Sequence, residues 1–538
     1  MLPLLLKSLL LASLSTHPAV DTVPLYTDLG SHHRAISTRV PKAQQYFDQG
    51  LRLVFGFNHG EAIRAFNEAA RLDPNCAVCY WGTAYAYGPH VNAGMDSASG
   101  VAAYAAAQQA LAHLSHASPV EQALIRAVAR RYAAVPPADR SALDSAYARA
   151  MADVVKQFPN DLDAAALYAE ALMDLRPWNY WKPEDGTPYP GTETIVAQLE
   201  QVLAQTPNHP GACHYYIHAV EAVAPEKAVP CAERLAALMP GVGHMVHMPA
   251  HIYIRVGRYA DAIDANVHAV HTDEVYIEGQ KPQGVYPLGY YPHNYHFLSF
   301  AATLAGRSAQ AIDAAKKTAG TTPFAIAKQV PILEPFVIYA FLTYVTFGRW
   351  EELLALPLPP ADLAYSRGMA QYARGVAFAA TGRWAEAQAA LDTVNQIAAA
   401  STQGYKAAGW VTPGTNLQIA AHVLTAEIAA RQGKLDDAIA HFREGMKLED
   451  GLLYFEPPDW YYPIRHSLGA VLLKAGRAGE AETAYREDLK RFPENGWALF
   501  GLAQALHAQG KHAEAAQTDA RFRAAWQGAD VTLVASRF

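Results

Sequence analysis

The sequence predicts an all-α protein, a solenoid built from repeated pairs of helices. The chain has 538 residues, which is too long for one compact core and favours several domains or a repeat array. Hydrophobic residues make up 51% and charged residues 17%, a globular rather than a disordered composition. Alanine, the best helix former, occurs in runs such as Ala105 to Ala107. A short motif that recurs along the chain predicts the helix pairs.

The recurring motif is a glycine followed by arginine or lysine at the start of an alanine-rich segment. It begins at Gly257, Gly306, Gly348, Gly382, Gly433, Gly476 and Gly510. Two of the intervals, 382 − 348 and 510 − 476, equal 34 residues, and the others are longer, as inserted loops would make them. Glycine tolerates the left-handed backbone of a tight turn between two helices. The motif therefore predicts helix–turn–helix repeats.

These features resemble the tetratricopeptide-repeat family. The stretch from His59 to Pro74 is similar to the second helix of that repeat, and recognisable units run from about Ala43 to Trp526. The resemblance implies a right-handed superhelix of helix pairs, whose first helices line a concave groove and contact ligands. The His-Tyr-Tyr-Ile-His and His-Met-Pro-x-His-Ile-Tyr stretches are also similar to those of a group of exported bacterial tetratricopeptide proteins. That likeness implies the fold and leaves the function open.

The predicted organisation has three parts. Residues 1–22 are a signal peptide or flexible start, 23–330 an N-terminal repeat array with a histidine-rich groove, and 331–538 a C-terminal repeat array. Three segments rich in Pro, Gly and aromatic residues are predicted as inserted loops: Trp178 to Thr194, Val275 to Pro292 and Gly451 to Tyr462. The aromatic residues in these loops suggest that the loops fold back onto the groove.

The first sixteen residues, MLPLLLKSLLLASLST, are typical of a secretory signal with an apolar region from Leu9 to Leu14. Lys7 interrupts the pattern, and a disordered start or a buried first helix is the alternative. The expected location is periplasmic or otherwise exported, and cytoplasmic if this segment is not a signal. No later stretch reaches the roughly 18 apolar residues that a membrane span needs.

Cys76 and Cys79 are expected to form a local disulfide or to pack as two thiols, since no second C-x-x-C completes a zinc ribbon.

The placement of the 22 histidines is the most informative feature after the repeat. At roughly 100° per residue, spacings of three, four and seven residues bring side chains to one face of a helix. In three successive predicted helix pairs, the first helix carries histidines at these spacings. The family register turns these faces toward the groove, which gives eight candidate metal ligands: His214, His218, Glu221, His244, His247, His251, His293 and His296.

Neutral imidazole is the commonest protein ligand for metals, so this convergence predicts a metal site. Nearby Met245, Met248 and Cys213 favour copper over zinc or iron, because sulfur ligands suit Cu(I). Seven histidines exceed one tetrahedral site, which leaves a dinuclear centre or supporting roles open. Glu221 is either a ligand or a group that orients a ligating imidazole. Pro249 is expected to kink the helix that carries three of the histidines.

The sequence thus favours a metal-binding repeat protein of the bacterial cell envelope, with the metal in the groove and a redox or hydrolytic centre as one outcome. Whether it is an enzyme is left open, and no catalytic residue is assigned. A scaffold that binds a peptide or protein partner without metal is the alternative. A pH sensor and a solvated histidine face are further readings. A net charge of −7 without a basic stripe argues against nucleic acid as a partner.

Overall fold

The computed structural model describes residues 23–282, 284–401 and 413–538. The predicted signal peptide, residues 1–22, lies outside this range. The described residues form helices joined by turns and loops, and their β-structure is limited to two isolated bridges, His90 to Ala93 and Trp181 to Pro188. The predicted all-α class is confirmed. No helix in the described part of the chain is both long and apolar enough to cross a membrane.

The chain forms two compact units. The first comprises the described residues up to Ile252 together with 268–282, and the second comprises Tyr253–Val267 and 284–538. The predicted boundary near residue 330, between the N-terminal and C-terminal repeat arrays, does not coincide with the boundaries of these two compact units. The six candidate ligands from His214 to His251 belong to the first unit.

The first unit is a succession of α-helices linked by turns and loops. Its α-helices are Pro41–Phe55, His59–Leu72, Ala77–Ala86, Ser97–Ala112, Pro119–Val128, Ser141–Gln157, Leu162–Met173, Thr192–Gln205, Pro210–Val220, Val229–Leu238 and Gly243–His247. Short 3-10 helices cover Leu114–His116, Ala129–Arg131 and Pro225–Ala228. The helices Pro249–Arg255 and Tyr259–Gln280 each contribute residues to both units.

The second unit continues the same pattern after a π-helical turn, Tyr286–Tyr290, and a short 3-10 helix, Pro331–Leu333. Its α-helices are Tyr291–Leu304, Ser308–Gly320, Phe324–Gln329, Glu334–Val337, Tyr339–Thr346, Trp350–Ala355, Ala364–Ala380, Trp384–Ser401, Pro413–Arg431, Leu435–Asp450, Ile464–Lys474, Ala478–Arg491, Gly496–Ala508 and His512–Ala525.

The seven motif glycines close the turns between paired helices, as predicted. Each has a left-handed φ, from 63° at Gly348 to 81° at Gly433. In every case the amide of the next residue donates to the carbonyl five positions earlier, at 2.8–3.0 Å, as Arg258 does to Tyr253. This is the hydrogen bond of a helix C-cap built around glycine. A side chain at these glycines would be strained, because only glycine adopts this φ without a Cβ penalty.

Single aromatic side chains pack against glycines on two neighbouring helices. The ring of Phe66 lies where a Cβ on Gly50 or Gly82 would stand, within 2.4–2.6 Å. The ring of Tyr485 lies between Gly469 and Gly501 in the same way, at 2.2–2.3 Å. These close approaches let neighbouring helices pack around one buried ring. The repeat packing is therefore the same in the first unit, where the turn motif is absent from the sequence, as in the second.

The three predicted loops have different outcomes. Residues 174–191 and 451–463 lack regular helix, so these two predicted loops are confirmed except at residues 192–194, which begin the helix Thr192–Gln205. The prediction of a loop from Val275 to Pro292 is wrong for most of its length, because the preceding helix runs to Gln280 and a π-helical turn, Tyr286–Tyr290, leads directly into Tyr291–Leu304. Lys281, Pro282 and Gly284 lie outside helices. The prolines that suggested a loop occupy the first positions of these helices, where proline is tolerated. Cys76 and Cys79 form a disulfide.

Candidate functional site

The first histidine helix, Pro210–Val220, is fixed at its start by local capping. Pro210 stands in its first turn, and the His209 ring accepts a hydrogen bond from the Ala212 amide at 3.1 Å. Every residue of this helix is buried. His214 and His218 lie one turn apart on one face, and Glu221 is the C-cap residue that follows.

The second histidine helix is interrupted at Pro249, as predicted. One helix spans Gly243–His247, and a second begins at Pro249, which has no amide hydrogen for the helical bond. The His251 amide donates to Met248 across the break at 3.2 Å. The break lets His244 and His251 approach different partners.

The six candidate ligands of the first unit are buried. Their exposed fractions are 0% for His214, 4% for His218, 0% for Glu221, 1% for His244, 0% for His247 and 1% for His251. A solvated histidine face is therefore excluded. The burial also differs from the open groove that the register suggests, because side chains from other segments cover the cluster.

Three of these imidazoles meet through their Nε2 atoms. The Nε2 atom of His214 lies 3.1 Å from that of His218 and 3.2 Å from that of His244. One ring nitrogen from each of the three residues lies within 4.8 Å of the others. On the far side of its ring, His214 Nδ1 contacts the carbonyl oxygen of Phe55 at 2.6 Å.

Glu221 joins this trio to a second pair of histidines. One carboxylate oxygen lies 3.1 Å from His218 Nδ1, and the other lies 2.6 Å from His251 Nδ1. The Nε2 atom of His251 in turn lies 3.0 Å from that of His247. Glu221 therefore contacts the two imidazoles on the nitrogen opposite the one that faces the cluster, which is how a carboxylate orients a ligating histidine.

These contacts fix which nitrogens carry protons. The Phe55 carbonyl and the ionised Glu221 carboxylate can only accept, so the Nδ1 atoms of His214 and His218 must donate. A neutral imidazole carries one N–H proton, and in both rings that proton is on Nδ1. Each Nε2 atom therefore has an unprotonated lone pair. The 3.1 Å contact between them cannot be a hydrogen bond between neutral rings. Two lone pairs face each other there.

Burial and neighbouring groups favour the neutral forms of His214 and His218 and the charged form of Glu221. Burial lowers the pKa of His214 well below its ordinary value, and the neighbouring His218 adds to this. Burial also lowers the pKa of His218, against the opposing attraction of Glu221. Burial raises the pKa of Glu221, but His251 and His218 outweigh it and bring that pKa to about 2. These two histidines therefore do not fit the pH-sensor alternative, which needs histidines that charge near pH 6.

Two aromatic side chains from outside the histidine helices cover the cluster. The ring centroid of Phe57 lies 4.4 Å from that of His214 and 5.6 Å from that of His244. Trp178, in the loop predicted to fold back, has its ring 4.8 Å from that of His218. Both residues have positive φ, 55° and 64°. Strained backbone of this kind in residues other than glycine is concentrated at functional sites.

Sequence reasoning missed Phe57 and a further histidine, His90. The His90 ring stacks on Phe57 with centroids 4.5 Å apart, and burial lowers its pKa well below the ordinary value, with smaller effects from His59 and His214. His90 lies in a turn of irregular structure, where no helical spacing links it to the other histidines. Helical spacing in the sequence links only the histidines of the mid-sequence helices to one another.

The two remaining candidates, His293 and His296, lie in the second unit on Tyr291–Leu304. The His296 ring packs edge-on against Tyr339, with centroids 4.1 Å apart, and against Phe336 at 5.7 Å. Burial lowers its pKa to about 3. Whether they share a metal with the other six stays a prediction.

Replacing His296 by Phe is expected to flatten the pH dependence of stability. The folded ring stays neutral down to about pH 3, whereas the unfolded histidine binds a proton below about 6.5, so the unfolded state gains protons first. The free energy of unfolding then falls as the pH drops below 6.5. Between pH 7.5 and pH 5.0 the parent chain should lose about 2 kcal/mol more than the variant in urea unfolding.

The exposed His512 provides the control. His512→Phe should keep the parental pH dependence. Equal losses in the parent and His296→Phe would show that the buried ring is protonated in the folded state as easily as in the unfolded one.

A second group of possible ligands, His32, Asp163 and His209, is a satisfied hydrogen-bond network. The Asp163 carboxylate lies 2.8 Å from His32 Nε2 and 3.1 Å from His209 Nε2, and it also accepts from Arg34 at 3.1 Å. Since His209 Nδ1 accepts from the Ala212 amide, its Nε2 carries the proton. The permanent charge of Arg34 disfavours a cation at this position.

Of the sulfur residues invoked for copper, Cys213 has other partners. The Cys213 thiol is 3.5 Å from the Pro207 carbonyl oxygen and hydrogen-bonds with Cys231, an interaction that, with burial, raises its pKa. The side chain of Met245 packs near Gly56. The nitrogen donors of the histidines are the ligands that the geometry brings together.

Comparison with known proteins supports the repeat class. The family model of the tetratricopeptide repeat matches residues 467–530. This match places a tetratricopeptide repeat at residues 467–530, and the seven glycine-capped turns show the same helix-pair pattern from Gly257 to Gly510.

Solved structures similar to this chain include the human IFIT1 dimer with m7Gppp-AAAA, at 12% identity and a TM-score of 0.33, covering 97% of this chain and 94% of that one. The human IFIT1 dimer with PPP-AAAA is 13% identical, with a TM-score of 0.31 and coverage of 88% and 89%. Among curated proteins, no relative matches the sequence.

Proposed function

We propose that this protein binds a divalent transition metal ion through the Nε2 atoms of His214, His218 and His244. Glu221 serves as the group that holds His218 and His251 in orientation. His247 and His251 form an adjoining pair of imidazoles beside this site. The proposal makes the tetratricopeptide repeats the frame that carries a metal centre in the first unit.

The contact between the His214 and His218 Nε2 atoms carries this proposal. Two bare lone pairs 3.1 Å apart repel one another unless a cation lies between them. A proton is a poor candidate, because burial lowers the pKa of both rings. A metal ion that accepts both lone pairs removes the repulsion and matches the donor chemistry.

The spacing of the nitrogens supports the same ion. A tetrahedral ion with metal–nitrogen bonds of about 2.0–2.1 Å separates two ligand nitrogens by roughly 3.3 Å. The two measured separations from His214 Nε2, 3.1 and 3.2 Å, are close to this value.

Copper remains the first expectation for the metal, with zinc or iron next. Imidazole suits all three, and among divalent first-row ions such a site generally binds Cu²⁺ most tightly. The support for copper comes from the imidazoles, since the Cys213 sulfur has other partners. His247 and His251 offer donors for a second ion or a substrate.

Three protein ligands leave a coordination position for water or substrate, the pattern of catalytic rather than structural metal sites. A bound ion there would supply Lewis-acid or redox chemistry. The aromatic cover of Phe57 and Trp178 would limit access of water. Redox and hydrolase assays are therefore the activity tests to run first on the loaded protein.

We also infer that the protein works outside the reducing cytoplasm. The disulfide between Cys76 and Cys79 supports this location, because such bonds persist in oxidising compartments. The apolar start of the sequence points the same way.

The test is the metal content of untagged protein from an exporting host, followed by titration of the stripped protein with Cu²⁺, Zn²⁺ and Fe²⁺. We expect about one tightly bound ion per chain, lost in a His214→Ala/His218→Ala variant. His116→Ala, which removes an exposed histidine of the same unit, should bind as the parent does. Binding that is weak in the parent or unchanged in the double variant would refute the proposal.

A further inference from the structure

Two buried thiols lie side by side in the first unit. Cys213 is on the helix Pro210–Val220, and Cys231 is on the helix Val229–Leu238. Their exposed fractions are 0% and 4%. The chain has four cysteines, and the Cys76–Cys79 disulfide uses the other two. Each of the two thiols therefore has one unbonded cysteine partner within the chain, which is the other.

The hydrogen bonds of the two thiols hold them against each other. The Cys213 Sγ atom donates to the carbonyl oxygen of Pro207 at 3.5 Å. Cys213 and Cys231 also hydrogen-bond with each other. Because the single S–H proton of Cys213 is directed at Pro207, the S–H of Cys231 donates to the Cys213 sulfur. The two side chains thus point at each other, which is the arrangement that a disulfide requires.

A bond between these two sulfur atoms would enclose part of the histidine cluster. The segment between the two cysteines contains His214, His218 and Glu221. It links positions 231 − 213 = 18 residues apart, whereas the Cys76–Cys79 disulfide links residues three apart. A disulfide restricts the unfolded chain more when the loop that it closes is longer. The bond would therefore hold both ends of the segment that carries these three residues.

The location proposed above favours oxidation of this pair. Disulfides form and persist outside the reducing cytoplasm, and the Cys76–Cys79 disulfide is of the kind that such compartments maintain. Neighbouring thiols are converted to a disulfide there by exchange with another disulfide. The inference rests on this proposed location and not on the identity of the metal.

We propose that Cys213 and Cys231 are a disulfide-forming site, whose oxidation fastens the segment that carries His214, His218 and Glu221. The oxidant is a second disulfide, either of a small molecule or of an oxidoreductase. The pair is the modification site, and the neighbouring helices Pro210–Val220 and Val229–Leu238 are the elements that it joins.

The reaction is two successive thiol–disulfide exchanges. Cys231, the more exposed of the two, attacks the oxidant as its thiolate and displaces one sulfur of the oxidant as a thiol. Cys213 then attacks the Cys231 sulfur of this mixed disulfide and displaces the other sulfur of the oxidant. The two S–H bonds of the pair and the S–S bond of the oxidant are broken, and the Cys213–Cys231 bond forms. Two electrons and two protons leave with the reduced oxidant.

The test equilibrates the full chain, with a metal chelator present, in buffers of defined ratios of oxidised to reduced glutathione. After acid quenching, the free thiols of the denatured chain are alkylated and located by peptide mass spectrometry. In oxidising buffer we expect alkylation of Cys213 and Cys231 to fall together by at least about tenfold, with a peptide pair linked through them. Dithiothreitol should restore both thiols.

Cys231→Ser is the matched control, because it removes one sulfur and keeps the size of the side chain. In this variant Cys213 should form no internal link. Urea unfolding followed by circular dichroism should give a higher midpoint for the oxidised than for the reduced parent. The variant should show a smaller difference, since the Cys76–Cys79 disulfide responds to the same buffers in both chains.

Three results would overturn the proposal. They are thiols that both stay free in the most oxidising buffer, glutathione that remains on Cys231 without transfer to Cys213, and links from either thiol to Cys76 or Cys79. The first two would make Cys213 and Cys231 a pair of packed thiols, and the third would make the Cys76–Cys79 disulfide exchangeable. Because a chelator is present throughout, none of these results depends on the proposed metal site.

Discussion

Glu221→Gln is expected to weaken metal binding by about 10- to 100-fold. The Glu221 carboxylate accepts from His218 at one oxygen and from His251 at the other. A glutamine has one carbonyl oxygen, so its amide group would face one of the two N–H groups as a second donor. One imidazole must then rotate or change tautomer. Competition with a chromophoric chelator would measure the loss in affinity.

Glu200→Gln is the matched control, because Glu200 lies on the neighbouring Thr192–Gln205 helix and accepts from the Tyr216 hydroxyl at 2.8 Å without touching the cluster. Its metal affinity should equal that of the parent. If Glu221→Gln binds metal as tightly as the control does, the carboxylate has no orienting role and the imidazoles are held by packing alone.

Arg131→Met is expected to destabilise the protein by about 3–5 kcal/mol. Arg131 is fully buried, donates to the Asp174 carboxylate, and stacks over the Tyr147 ring at 4.7 Å. Burial and the adjacent Glu170 raise the pKa of Asp174 well above its ordinary value. Removing the guanidinium leaves two buried carboxyl groups without their cation. Urea unfolding followed by circular dichroism would measure the change.

Arg126, an exposed residue of Pro119–Val128, provides the control. The same substitution there shows the effect of replacing arginine by methionine where no buried ion pair is lost. Arg126→Met should alter the free energy of unfolding by less than about 0.5 kcal/mol. Equal stability of the two variants would mean that the Glu170 and Asp174 pair is stable as a neutral, proton-sharing pair.

The sequence predicted the repeat because its signal is local. A glycine that needs a left-handed φ can be read from its neighbours, and all seven motif glycines have that conformation. The histidine faces were predictable for the same reason, since helical spacing alone brings His214 and His218, or His244 and His247, to one side of a helix.

The surroundings of the cluster were not predictable, because they come from distant parts of the chain. Phe57 approaches His214 from 157 positions away, and neither the φ of 55° nor the contact leaves a pattern in the sequence. Whether Glu221 orients the imidazoles or is itself a ligand likewise depends on which nitrogen of each ring faces it. Spacing places two rings on one face but does not say which atoms meet.

The loop prediction from Val275 to Pro292 failed for a specific reason. Proline and glycine usually mark irregular structure, yet proline is compatible with the first turn of a helix. Pro287 and Pro292 both stand in such positions. Where a chain passes from one helix straight into another, turn residues and helix starts look alike in sequence.

The first unit is formed from two separate stretches of chain. This has a practical consequence for producing the unit alone. Residues 268–282 contribute Asp273, whose carboxylate lies where a Cβ on Gly243 would stand, and Tyr276, whose hydroxyl reaches Glu61 at 3.5 Å. A recombinant fragment that stops at Ile252 would lack both. Fragments for crystallisation or for isolated metal studies should therefore extend at least to Lys281, and a deletion series ending on either side of that residue would locate the smallest independently folding piece.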